Sequence, residues 1–275
     1  MSIKDILVHV DSTPSADKRL ELAVVLADRH DAHLTGIHVS PSIYVPAVEF
    51  GGLPATFFEH RQREIESDAT AARTKFDSLA GKANIAIEWR NADGYPGETL
   101  IEHARCADLV VVGQRNPDAD AQAGDLPDSI LLATGRPTLI VPNAAAMKTF
   151  ARNIMVAWDG GAQATRALHD ALPLMSAGAK ISVIAVNPEN MGDRKQVACA
   201  DICRHLARHG LDAEARTVVA SNETTADTLL SCAFEQGCDL LIMGAYGHSR
   251  FREFVFGGVT AHVLKNMTLP VLMSH

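Results

Sequence analysis

Apolar residues fall in short unbroken runs, separated by longer stretches in which they recur every three or four positions. Runs such as Leu109-Val-Val-Val112 and Leu240-Leu-Ile-Met243 lack polar alternation, the mark of strands buried on both faces. In the second half, strands are predicted at 153–158, 180–186, 214–219, 239–243 and 270–273, with helices near 162–176, 195–209, 224–236 and 258–266. The first half gives strands near 5–10, 33–39, 84–89, 108–112 and 137–141, and helices near 14–30, 57–81, 97–105 and 127–134. Strands alternating with helices predict a parallel sheet with right-handed crossovers. The fold class is α/β, as two tandem five-stranded sandwiches.

The halves are one pattern written twice. Lys4-Asp-Ile-Leu-Val-His-Val-Asp11 returns as Arg152-Asn-Ile-Met-Val-Ala-Trp-Asp159, each an apolar run closed by an aspartate. Ala107-Asp-Leu-Val-Val-Val-Gly113 returns as Cys238-Asp-Leu-Leu-Ile-Met-Gly244, and Arg136-Pro-Thr-Leu-Ile-Val141 as Leu269-Pro-Val-Leu-Met273. Internal repetition of this kind decides the architecture. The small-residue stretch Asn143–Phe150 separates the copies, so the domains are 1–147 and 148–275. With strand order 3-2-1-4-5 in each copy, Asp11 lies beside Gly113 and Asp159 beside Gly244. The crevice outside those strand ends is the default ligand site.

Composition narrows the partners. Of 275 residues, 25 are Lys or Arg and 33 are Asp or Glu, a net charge of −8. Residues 1–150 carry 14 basic and 21 acidic groups and the remainder 11 and 12, so the second copy tolerates a polyanionic ligand better. The balance argues against nucleic acid. Arg250 and Arg252 flank Phe251, but in context Phe251, Phe254 and Phe256 read as core contacts among solvated charges. No apolar stretch reaches the roughly 20 residues of a membrane span, and the amino terminus lacks a signal-peptide core. Five cysteines without a CxxC spacing read as reduced thiols, pointing to the cytoplasm.

The richest chemistry lies in Gly244-Ala-Tyr-Gly247-His248 and in Gly257-Gly258-Val259-Thr260, which opens the final helix. Phosphate recognition needs backbone N–H groups brought close to oxygen, and a helix amino terminus supplies both donors and dipole. On spacing alone, the same glycines also serve simply to end a strand and start a helix. His248 reads equally as a phosphate contact and as a solvated loop residue.

The segment from Asp239 to Ser274 resembles the carboxyl-terminal signature of the universal stress protein family, Gly-x2-Gly-x9-Gly-(Ser/Thr). Gly244, Gly247 and Gly257 match with the x9 gap, while Gly258 stands where Ser or Thr is usual. The resemblance extends over both copies. It implies the adenine nucleotide alpha-hydrolase-like fold and a cytoplasmic stress-response protein that binds ATP, with or without Mg2+. Carried over by residue, the adenine contacts fall on Asp159 and on the backbone around Ala157 and Val186. Ribose and phosphate contacts fall on Gly244, Gly247, His248, Gly257, Gly258, Val259 and Thr260. The hydroxyl missing at Gly258 removes about 0.5–1.5 kcal/mol of hydrogen bonding but leaves the backbone donor. In the first copy Gln114-Arg-Asn116 replaces the second glycine, and Asp118, Asp120, Asp125 and Asp128 stand where phosphates would lie. That copy is not expected to bind ATP.

Other constellations carry less. Cys199 and Cys203 share a helix face, as do His205 and His209, but the pairs differ in phase by roughly 200°, so no single ion collects all four. No metal site is predicted. No G-x-S-x-G and no Walker lysine motif occurs, and no general base stands out, so no catalytic residue is assigned. Residues 40–60 read as packing over the first crevice, with a lid or partner surface as the alternatives. Family members generally pair through their last strand, so 137–141 and 270–273 are expected to pair within the chain as a pseudo-dimer. That would remove two apolar edges, and a further homodimer is not required. An interaction module with a vestigial site and a slow ATPase stay open as alternatives to plain ATP binding.

Overall fold

The computed structural model describes residues 2–41, 55–115, 126–143, 148–186, 193–220, 223–247 and 258–275. The chain forms two compact units, one of Ile3–Ile130 and one built on Leu131–His275. In the first, the strands are β1 (Asp5–His9), β2 (His33–Ser40), β3 (Ile87–Asp93) and β4 (Leu109–Gly113). They lie in the order β3-β2-β1-β4, with the β1–β2, β1–β4 and β2–β3 pairs parallel. The helices are α1 (Ser15–His30), α2 (Ala55–Ala80), α3 (Pro96–Ala104) and α4 (Leu126–Ala133), the last running on into the second unit.

The predicted runs become the core. Leu7, Val8, Val110, Val111 and Val112 are at most 2% exposed, and Leu20, Ala23, Leu26 and Ala27 form the buried stripe of α1. A Cβ on Gly36 of β2 would stand 2.5 Å from the Phe76 ring, so glycine there lets α2 close onto the sheet. The third strand lies later than expected, at 87–93 rather than 84–89. Its bounds follow pairing with β2, Leu34 opposite Ile87 through Ser40 opposite Asp93, rather than the apolar run. It is an outer strand of its unit, so polar residues such as Glu88 and Arg90 are tolerated on it.

The second unit contains β5 (Thr138–Val141), β6 (Asn153–Ala157), β7 (Lys180–Val186), β8 (Ala213–Val218), β9 (Leu240–Gly244) and β10 (Val271–Ser274). Its helices are α5 (Ala162–Ala171), extended by a 3-10 turn at Leu172–Leu174, α6 (Asp193–Arg208), α7 (Thr225–Glu235) and α8 (Gly258–Asn266). The strand order is β5-β10-β9-β6-β7-β8, so the second copy shows the 3-2-1-4-5 order in full. β5, the last strand of the first copy, packs in this unit, antiparallel to β10, with Ile140 opposite Val271 and Thr138 opposite Met273. The expected pairing of the two final strands is therefore present, and β10 has a strand on each side.

Candidate functional site

β6 and β9 run parallel and adjacent, Ala157 opposite Met243, so their carboxyl ends open into one crevice. Two residues past β6, the Oδ1 of Asp159 accepts a 2.7 Å hydrogen bond from the Gly161 amide, which leads into α5. Gly244 fixes how closely that helix approaches. A Cβ there would stand 2.5 Å from the Ala164 nitrogen and 2.8 Å from the Gln163 Cβ, so any larger residue would push α5 off the strand end. After Gly244 the chain turns through Tyr246, a buried residue held at φ 55°, in the left-handed region. Such a conformation costs a non-glycine residue about 1–2 kcal/mol. The turn is tied to α8, because the Tyr246 amide donates to Thr260 Oγ1 at 3.2 Å.

These elements enclose a cavity of about 270 Å³. Ala157, Asp159, Val186, Gly244, Gly247, Gly258, Val259 and Thr260, all singled out from the sequence, line it. His248 and Gly257 lie outside the described residues. Sequence reading missed Gln163, Ile184, Thr225, Leu229, Met243 and Tyr246, which also face the cavity. Ile184 was reachable by the two-residue period from Val186 on β7. Thr225 and Leu229 were not, because only tertiary packing brings α7 here. Among the described residues nothing stands within 4 Å of where a Cβ on Gly258 would be. A second cavity of about 500 Å³, lined by Lys148, Phe234, Cys238, Asp239 and Pro270 among others, lies just ahead of the amino-terminal ends of β9 and β10. Ligands of parallel sheets bind at the carboxyl ends, so it is not the site.

The corresponding corner of the first unit is filled by the chain itself. Arg19 of α1, 2% exposed, donates from Nε to the His9 carbonyl at 2.6 Å and from Nη2 to Asp11 Oδ2 at 2.9 Å. The other Asp11 oxygen accepts from the Thr13 amide at 3.0 Å and from its hydroxyl. A Cβ on Gly113 would clash with Arg19 Nη1, so the guanidinium lies against the strand end. Burial alone would raise the Asp11 carboxyl, but Arg19, His9 and the Thr13 hydroxyl outweigh it and hold it below the usual range. Burial, then Arg19, lowers His9 to about 4. Most of the acidic loop, with Asp118, Asp120 and Asp125, and most of residues 40–60 lie outside the described residues, as do Arg250–Arg252.

His205 and His209 do share a face, and His169 of α5 joins them, with ring centroids 5.0 and 4.7 Å apart along the row His169–His205–His209. Among the described residues no three His, Cys, Asp or Glu side chains are disposed to hold a metal ion. None of their helices is long and apolar enough to cross a membrane.

The universal stress protein family model matches residues 2–142 and again 151–275. The chain belongs to the universal stress protein family. It carries two copies of the family domain in tandem. The universal stress protein Slr1230 of Synechocystis is 27% identical over 290 residues, covering 98% of this chain and 99% of that protein. The universal stress protein YxiE of Bacillus subtilis is 26% identical over 114 residues, 40% of this chain and 77% of that protein. A universal stress protein crystal structure from Archaeoglobus fulgidus superposes with a TM-score of 0.75 at 15% identity. It covers 98% of this chain and 96% of that one, and so shares the tandem fold.

Proposed function

We propose that this universal stress protein binds an adenine nucleotide, with ATP as the reference ligand, in the cavity of its second unit, and does so in the cytoplasm. One observation carries the reading. The family-signature residues that are described all converge on a single cavity, at the strand ends where such folds take ligands. The cavity has the right division of labour. Ala157, Ile184, Val186, Leu229 and Met243 give an apolar slot for a base, and Gly258 and the amino terminus of α8 offer backbone donors for phosphates. Two details support the fit: among the described residues nothing stands within 4 Å of a Cβ on Gly258, and at Gly247 a Cβ would stand 3.2 Å from Gln163. In the first unit Arg19 and Thr13 occupy the Asp11 carboxylate, which supports a single nucleotide site per chain. All five cysteines are free thiols, in keeping with a reducing compartment.

Calorimetry with ATP tests the reading on wild type and Gly247→Val. A branched side chain at Gly247 meets the flexible end of Gln163 rather than backbone, so the fold survives while the ligand's approach is blocked. Binding is expected to fall at least tenfold. Equal affinity for the two proteins, or no binding by wild type, would leave the interaction-module reading in its place. That alternative draws on the absent hydroxyl at Gly258.

A further inference from the structure

We infer that Gln163 makes the second unit's cavity selective for a ribonucleotide, by hydrogen bonding to the sugar hydroxyls; the inference rests on the nucleotide reading above. Gln163 lies in the first turn of α5, whose position against the strand end is set by the close contact with Gly244. Its carboxamide reaches toward Gly247. From the point where a Gly247 Cβ would stand, Gln163 Oε1 is 3.2 Å away and Asp159 Oδ2 is 3.8 Å away. A carboxylate and a carboxamide thus converge on the same spot, between the apolar slot and the glycine turn. The Asp159 side chain is oriented there by the Gly161 amide on its other oxygen.

The chemistry of that spot excludes the other parts of a nucleotide. A phosphate placed there would meet the Asp159 carboxylate, a repulsion strengthened by partial burial. The base belongs among Ile184, Leu229 and Met243, which offer no side-chain hydrogen bond of that kind. Vicinal hydroxyls fit both groups. Each is donor and acceptor, a carboxylate only accepts, and a carboxamide does both through its oxygen and its NH2. Among the described residues Gln163 makes no hydrogen bond, so its amide is uncommitted to them.

The first copy supplies the contrast. At the 148-residue offset that aligns Asp11 with Asp159, Gln163 is replaced by Ser15. The Ser15 hydroxyl lies 3.0 Å from that of Thr13, which itself bonds to Asp11, and Arg19 takes the other Asp11 oxygen. Both carboxylate oxygens of that aspartate are thus engaged by neighbouring side chains. In the second copy the amide of Gln163 stands beside Asp159 instead.

The test is calorimetric titration with ATP, 2′-deoxy-ATP and 3′-deoxy-ATP of wild type, Gln163→Ala and the similarly sized Gln163→Leu. Wild type is expected to bind at least one deoxy analogue about two- to tenfold more weakly than ATP, the range of one neutral hydrogen bond. Both variants are expected to bind ATP more weakly by about that factor and to lose the discrimination against the analogue that lacks the hydroxyl held by Gln163, while any contact of the other hydroxyl with Asp159 persists. A side chain that merely supports the fold would change the affinities but not their ratio. Equal affinity of wild type for the three nucleotides, or affinity ratios in Gln163→Leu unchanged from wild type for both analogues, overturns this inference and leaves the nucleotide reading standing. Failure of wild type to bind any of the three overturns both.

Discussion

Replacing Gly258 by serine restores the hydroxyl that the family pattern has at this position, and the structure gives its consequences. Gly258 opens α8 and lines the cavity, and no described residue lies within 4 Å of its Cβ position, so serine enters without moving any of them. Its hydroxyl adds a donor beside the unpaired N–H groups of the first turn, where an anionic oxygen is already favoured. One such hydrogen bond contributes about 0.5–1.5 kcal/mol net, so ATP affinity should rise from about twofold to about tenfold. Gly258→Ala is the control, since it adds the Cβ and removes glycine's conformational freedom without the hydroxyl. Both substitutions should raise the melting temperature slightly, because glycine in a helix costs about 0.5–1 kcal/mol relative to alanine. Only serine should tighten ATP in calorimetry. Equal affinity of the serine and alanine proteins would refute the placement of phosphate at the start of α8, and weaker binding by serine would show that ligand atoms need the space glycine leaves.

Gly244→Ala drives a methyl group to 2.5 Å from the Ala164 backbone nitrogen, which cannot rotate away. A loss of about 1–3 kcal/mol in urea unfolding is expected, and an unchanged midpoint would mean that α5 does not pack so closely. His9 makes stability depend on pH. Its native value is lowered from 6.5 to about 4, so as pH falls from 6.5 toward 4 the unfolded chain gains a proton that the native chain refuses. The stabilisation is complete above pH 6.5 and shrinks as pH falls through that window, by on the order of 3 kcal/mol in all. His9→Leu should flatten that part of the profile, and an identical slope in the two proteins between pH 6.5 and 4.5 would refute the assignment.

How much of this was legible in the sequence varies with the range of the interaction. Buried strands such as Leu109–Gly113 and Leu240–Gly244 announce themselves, because a strand covered on both faces has no place for a polar residue. Repetition of Lys4–Asp11 at Arg152–Asp159 gave the tandem organisation, and the shared apolar character of 137–141 and 270–273 gave their pairing. The glycines were readable because close backbone approach restricts the choice to one residue type. The limits of β3 were not, since an outer strand takes its bounds from its one neighbour and needs no apolar run.

Side chains that meet across elements were equally silent. Nothing in Arg19 marks it as the cation that fills the first crevice, because α1 reads as an ordinary amphipathic helix whose arginines suit solvent. Gln163 looks like a helix-surface residue until the Gly244 contact turns the start of α5 into the cavity. His169 stands 36 residues before His205 and joins its ring only because α5 and α6 come together. Local periodicity is written in the order of residues, and so the sequence determined the elements, the repeat and the glycine frame. Which side chains face one another depends on crossover direction, strand register and helix approach, and these were decided only when the packed sheet set them together.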